Sequence, residues 1–302
     1  MELSKRVFCG QPDGSHLLIT GGVHGDEFEP MVAIRRLIDR FDSDAALAST
    51  LRGSLTLVPV VNEAAFLRGH RCADDGLDLA RVCPGRMDGS ITEKTARALS
   101  DLIEAADYYI DLHTGGTEFS VLPLAGYSMH ENPDVLNTQR RMAKAFNLPT
   151  VWGTAGNLEG RSLSVARDAN VPAIYAEYLG SATCQVEGVA AYVDGCLNVM
   201  AALGMIDRRL PESRFVRSVE DPRPGSGHMQ VCNPSPLTGY FEPAVRLGDV
   251  VQIGDALGTV FDLSGSQRQT IAAQQAGIVL VLRTFPRVHA GESVGVILET
   301  SG

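Results

Sequence analysis

Two periodicities take turns along the first 206 residues. His16–Thr20 is a short apolar run that stops at Gly21-Gly22. Phe28–Arg40 then sets Met31, Ile34, Leu37 and Ile38 on one face, the spacing of an amphipathic helix. Leu55–Val61 reads as a continuous apolar strand, Thr92–Ala105 as a helix with Thr92 as its cap, Tyr108–Leu112 as a strand and Val135–Phe146 as a helix. Ala173–Tyr178 and Val189–Leu203 repeat the step from strand to helix. Strands this uniformly apolar are buried on both faces. The pattern therefore predicts an α/β domain over 1–206, with a mostly parallel, mixed sheet and helices on both faces.

From about Asp207 the pattern changes. Arg208–Gly227 is rich in Arg, Pro and Gly and reads as a linker, about 207–227, with one strand at Arg214–Val219. Beyond it glycine recurs between short β-branched runs. Val251-x-x-Gly254-Asp255-x-Leu257-Gly258-x-Val260 matches Val288-x-x-Gly291-Glu292-x-Val294-Gly295-x-Ile297. Each copy reads as a turn followed by a short strand, so 207–302 is expected to be a small all-β domain built as a quasi-two-fold sandwich. It resembles the barrel-sandwich hybrid of lipoyl and biotinyl domains, where a lysine at a hairpin tip carries the cofactor. No lysine follows Lys144, which excludes a swinging-arm carrier. The expected role is structural: packing beside the catalytic domain, narrowing its entrance and supplying part of a homo-oligomer interface.

Composition narrows the classes. Hydrophobic residues make up 44% of the chain and charged residues 21%, ordinary values for a globular protein. A net charge of −10 makes a poor match to nucleic-acid phosphates or an anionic membrane, so neither is expected as a partner. No apolar run approaches the roughly 18 residues that a membrane helix needs. Met1–Gly10 contains no apolar signal core. The six cysteines are scattered without a C-x-x-C pair and read as free thiols in a reducing compartment, so a cytoplasmic protein is expected.

Four segments could carry chemistry. Gly21-Gly22-Val23-His24-Gly25-Asp26-Glu27 follows a strand and precedes a helix. His24 and Glu27, three apart, can face one point there and offer an imidazole nitrogen and a carboxylate oxygen to a zinc ion. Alone, the pair is better described as a solvated loop histidine beside a capping carboxylate. In Tyr108-Tyr109-Ile110-Asp111-Leu112-His113, a strand ends on His113, where a third ligand belongs in an open α/β sheet. Asp111 lies two residues earlier on the same strand face and could orient it. Three protein ligands leave one position open, the arrangement of a catalytic zinc site. Glu177 lies inside the apolar strand around Ala173–Tyr178; it is either salt-bridged at a strand end or a carboxyl whose burial raises its proton affinity toward that of a general base. Asn62, Arg71 and Arg81 follow the Leu55–Val61 strand; an arginine there either clamps a substrate carboxylate or lies on the surface.

The order His24-x-x-Glu27, Asn62…Arg71, Arg81, Asp111-Leu112-His113 and Glu177 resembles the succinylglutamate desuccinylase/aspartoacylase family of zinc carboxypeptidase-like hydrolases. The resemblance covers about 16–205, and the C-terminal part resembles the short β-domain of bacterial members related to N-acetyl-diaminobutyrate deacetylases. It implies a carboxypeptidase-like fold and one zinc per chain held by His24, Glu27 and His113. It implies Glu177 as the general base that activates water, and Arg71 as a helper for the oxyanion. It implies Arg81 and Asn62 as substrate-binding, with a further substrate arginine upstream of Glu177, either Arg161 or Arg167; Arg161 is the one we take forward. Three positions depart from the family pattern. Ala80 stands where D-x-N-R has Asn, Cys83 where Phe precedes Pro-Gly, and Glu63 where Pro follows Asn62. Ala80 removes an amide from the substrate side without touching the metal or the base. The expected activity is hydrolysis of a small N-acyl amino acid. The alternatives are a carboxypeptidase-type peptidase and a metal-binding homologue without turnover.

Overall fold

A computed structural model describes residues 2–229 and 232–299; residues 1, 230–231 and 300–302, at the ends and within the second expected domain, lie outside the described set. The chain divides into two compact units. The first holds the residues up to Thr114, Pro123–Glu177 and Thr183–Ser226. The second holds Gly115–Leu122, Tyr178–Ala182 and the residues from Gly227 on.

Up to residue 226 the chain runs β1 (Arg6–Cys9), β2 (Gln11–Thr20), α1 (Phe28–Ser43), α2 (Ala45–Thr50), β3 (Arg52–Val58), α3 (Glu63–Arg68), α4 (Ile91–Glu104), β4 (Tyr108–His113), β5 (Phe119–Ser128), α5 (Pro133–Phe146), β6 (Thr150–Thr154), α6 (Ser162–Asp168), β7 (Ala173–Gly180), α7 (Val186–Ala202) and β8 (Arg217–Asp221); β5 up to Leu122 and β7 from Tyr178 belong to the second unit. The sheet order is β1-β3-β2-β4-β7-β5, continued through β6 to β8. β2 pairs parallel with β3 and β4, β4 with β7, β5 with β6 and β6 with β8, while β1 runs antiparallel to β3. Leu17, Leu18 and Ile19 on β2 are all fully buried, which requires cover on both faces. Leu18 and Tyr109 pack with Leu99 and Ile103 of α4 and Leu163 and Ala166 of α6. α1 packs on α7, and α7 on α5.

Local sequence explains the boundaries. α1 buries Met31, Ile34 and Leu37, the stripe that its periodicity predicts. The expected cap of α4 is corrected. Ser90, not Thr92, precedes the first turn in extended conformation and forms a reciprocal capping box with Glu93, an arrangement whose loss costs about 1 kcal/mol. Thr92 lies inside the helix and is bonded to Asp75 at 2.8 Å through its hydroxyl. The strand expected at Leu55–Val61 ends at Val58, because Pro59 has no N–H for the next ladder bond. β8 lies in the expected linker and pairs parallel with β6, so residues up to Ser226 pack with the first unit.

The second unit holds β9 (Gly239–Pro243), β10 (Val250–Val251), β11 (Ala256–Phe261), β12 (Arg268–Ala272), β13 (Gly277–Arg283), β14 (Arg287–Val288) and β15 (Gly295–Leu298). The four-stranded order is β12-β11-β9-β14. β13 pairs antiparallel with β10, with β15 and with the first residues of β5, Phe119–Val121. Each repeat copy spans both layers. In the first copy β10 joins β13 and β11 joins β9; in the second β14 joins β9 and β15 joins β13. The two copies thus pair with the same two strands, β9 and β13, in opposite order. Phe241, Leu257, Val260, Val279, Val288, Val294 and Ile297 form this unit's own core.

Candidate active site

Three chain segments meet at the carboxyl ends of the parallel strands. The Gly21–Asp26 loop leaves β2 and delivers Glu27 as the residue before α1. A Cβ on Gly25 would lie 2.1 Å from the Ala65 carbonyl carbon, so only glycine lets this loop sit against α3. β4 ends on His113, and the parallel register sets Glu177 of β7 beside it.

Glu27 stands between the two histidines. Its Oε1 lies 2.6 Å from His24 Nδ1 and its Oε2 3.0 Å from His113 Nδ1. One ligand atom from each of His24, Glu27 and His113 falls within 4.8 Å of the others, so the group could hold a metal ion. The remaining imidazole nitrogens face carboxylates. His24 Nε2 lies 3.1 Å from Asp78 Oδ1, and His113 Nε2 3.0 Å from Asp111 Oδ2. Such outer carboxylates fix the ring orientation of ligating histidines and leave the inward nitrogens to the ion. Asp111 is anchored in turn, accepting hydrogen bonds from Thr20 at 2.9 Å and from Ser162. The Tyr192 hydroxyl donates to the His113 carbonyl.

The electrostatics favour positive charge at this point. Burial alone would raise the Glu27 carboxyl, but His24 and His113 on either side hold it well below the carboxylate range. Burial would lower both imidazoles. Asp111 and Glu27 more than offset that at His113, and Glu27 and Asp78 do so at His24, so both attract protons more strongly than usual. A site that binds protons this firmly between an inward carboxylate and two outer ones is suited to a cation, and the nitrogen and oxygen donors suit zinc.

Glu177 differs from its neighbours. It is 5% exposed, and its Oε2 has no hydrogen-bond partner among the described residues. Burial pushes its carboxyl up to about 7, against the pull of His113. A carboxyl that titrates near neutrality can take and return a proton.

The arginines separate by their partners. Arg71 donates to Asp78 Oδ2 from Nε at 3.1 Å and Nη2 at 2.9 Å, and its Nη1 lies 3.8 Å from Glu27 Oε1. Asp78 thus bridges His24 and Arg71. The sequence reading gave it no role, although it opens the Asp78-Leu79-Ala80-Arg81 stretch. Arg81 donates to the Ala80 carbonyl at 2.7 Å. Burial, then the neighbouring Arg81, lowers Arg161 to about 10. Arg167 instead spans Glu159, Asp168 and the Gly156 carbonyl, a brace for the loop before α6. Asn62 caps α3, its Oδ1 accepting from Ala65 N at 3.1 Å, while its buried Nδ2 has no partner among the described residues.

Comparison with known proteins decides the family. Residues 13–203 match the succinylglutamate desuccinylase/aspartoacylase catalytic domain. The chain belongs to that family. Across 295 residues it is 30% identical to the N-alpha-acetyl-L-2,4-diaminobutyric acid deacetylase of Halomonas elongata, covering 95% of this chain and 83% of that one. A succinylglutamate desuccinylase structure from Silicibacter sp. TM1040 superposes with a TM-score of 0.85 at 26% identity, covering 97% of this chain and 87% of that one. The product-bound ectoine utilization protein EutE (DoeB) of Ruegeria pomeroyi superposes at 0.83 with 27% identity and the same coverage. The family match spans His24, Glu27, His113 and Glu177, and the structural likeness extends over nearly the whole chain. Among the described residues, no helix is long and apolar enough to cross a membrane.

Proposed function

We propose that this protein is a zinc-dependent amidohydrolase that removes the acyl group from a small N-acyl amino acid. The observation that carries this reading is a metal-ready His24, Glu27 and His113 cluster beside a buried carboxyl, Glu177, with an unpartnered oxygen. One zinc per chain would be held by those three side chains. When bound, the ion supplies a Lewis acid that polarises the amide carbonyl and makes water more acidic. Glu177 accepts the water proton at its open Oε2 and returns it to the departing amine. Asp78 holds Arg71 so that its outer nitrogen meets the negative charge that develops on the carbonyl oxygen. Arg161 and Arg81 receive the substrate carboxylate, and Asn62 offers its free Nδ2 as a further donor. A small N-acetylated substrate agrees with the activity named for the Halomonas elongata relative. Six unpaired cysteines suit a cytoplasmic setting.

The test is to strip the protein with a chelator, reload it with zinc, and assay a panel of N-acyl amino acids and short peptides. We expect turnover of the N-acyl amino acids to return with about one zinc per chain. His113→Ala should lose most of the metal together with the turnover. Zinc uptake without turnover of any amide would favour a binding protein, and hydrolysis confined to peptides would favour a carboxypeptidase.

A further inference from the structure

Tyr175 takes no part in the chemistry above, yet the fold makes room for it beside that chemistry. It lies on β7 two residues before Glu177, and the register sets Asp111 beside Tyr175 and His113 beside Glu177. Residues two apart on a strand, and partners in register, share a face of the sheet, so these four side chains form one patch. The phenol end lies directly over Gly126 of β5. A Cβ at Gly126 would stand 2.3 Å from Tyr175 Cε1 and Cζ and 2.5 Å from the hydroxyl. In a close-packed interior only glycine at 126 leaves the ring this position.

The ring is anchored and its tip is open. Tyr175 packs on the apolar cluster of α4 and α6 and is half-buried overall. Among the described residues its hydroxyl makes no hydrogen bond, whereas Asp111 beside it accepts from Thr20 and Ser162. A phenol with its body buried is ordinarily met by a partner at its hydroxyl. Burial, reinforced by the charge of Glu177 and opposed by Arg161, raises the phenol's pKa, so it stays a neutral O–H donor at working pH. Arg161 also feels the phenol in return. A guanidinium and a phenol O–H near each other, beside Glu177, make a two-point donor for the oxygens of a carboxylate.

We propose that the Tyr175 hydroxyl donates to the α-carboxylate of the substrate and, with Arg161, sets the preference for acyl amino acids over acyl amines. This inference rests on the deacylase reading. The test is Tyr175→Phe in the full-length, zinc-loaded protein, because it keeps the ring and deletes only the donor. Each N-acyl amino acid is assayed beside its α-carboxamide. A hydrogen bond to a charged group should show as a KM for the acid raised about tenfold with kcat nearly unchanged. The carboxamide kinetics, zinc content and melting midpoint should match wild type. Equal changes on acid and carboxamide, or no change on either, overturn the inference while wild-type turnover keeps the deacylase reading standing. Calorimetric binding of the free amino acid separates the two further: weaker binding in the Phe variant supports the contact, and unaltered binding overturns it. A wild-type protein that hydrolyses none of the amides overturns both readings.

Discussion

Glu177 and Arg283 are both charged side chains almost wholly removed from water, at 5% and 1% exposure. They are treated in opposite ways. Arg283, on β13 of the second unit, donates to the Ser293 carbonyl at 2.9 Å, the Arg287 carbonyl at 2.8 Å and Glu292 at 3.1 Å. Its guanidinium also reaches Glu118 at 3.4 Å and lies over the Phe119 ring at 4.8 Å. Glu177 has an oxygen with no partner among the described residues. Burying a charge is tolerable when its hydrogen bonds are complete, and then the group acts as a staple. When they are left incomplete the group stays poised for a proton or a ligand, and the cost falls on stability. In the second unit the buried charge is tied into the architecture; in the first, one is left with an unpartnered oxygen among the described residues.

The largest effect that would test this contrast is in activity. Glu177→Gln is nearly isosteric and cannot accept the proton, so kcat should fall roughly 10²–10⁴-fold. Zinc content should persist and the melting midpoint should stay level or rise, because a poorly solvated carboxyl is gone. A midpoint that drops while kcat survives would make Glu177 the staple instead.

Arg283→Met should give the reverse result. It removes a nearly filled hydrogen-bond set and leaves two carbonyls short, which should cost about 2–3 kcal/mol in urea unfolding. Glu118 and Glu292 are partly exposed and can rehydrate, which keeps the loss below that of a fully buried pair. Turnover per folded molecule should not change. A silent Arg283→Met would remove the structural half of the contrast.

The smallest effect is in pH. On the proposed mechanism Glu177 must be deprotonated to act as base, so with its carboxyl pushed up to about 7, kcat/KM should fall about tenfold per unit as pH drops below it. Stability of the metal-free protein runs the other way. A carboxyl raised in the folded state binds its proton there more tightly than in the unfolded chain. Its contribution is therefore present below the unfolded value and is lost as pH rises through about 7. Glu177→Gln should flatten both slopes, and an unflattened kcat/KM profile would assign the acid limb to another group.

The residues of the candidate site that the structure brings together were legible because they sit at punctuation. His24 and Glu27 lie where glycines end β2 and a helix begins, and His113 ends an apolar strand. Glu177 was conspicuous as a carboxyl inside an apolar run. Asp78 and Tyr175 were not legible. Asp78 meets His24, 54 positions away, and Arg71, 7 away. Tyr175 looks like any strand aromatic until Gly126 is found beneath its ring. β1, β5 and β6 also escaped the sequence reading. β5 is broken by polar and proline positions, and its pairing comes from distant strands.

By itself the sequence determined the alternation of strands and helices, the repeat in the second unit and the residue types that can ligate a cation. Those properties are local: backbone propensity, 3.6- or 2-residue periodicity and the donor chemistry of each side chain act over a few positions. Only the tertiary structure decided which histidine nitrogens turn inward, which arginine approaches Arg81 and which braces a loop, and that residues 119–121 pair with β13. Those outcomes depend on which distant groups compete for each hydrogen bond once water is excluded, and no local window contains both partners.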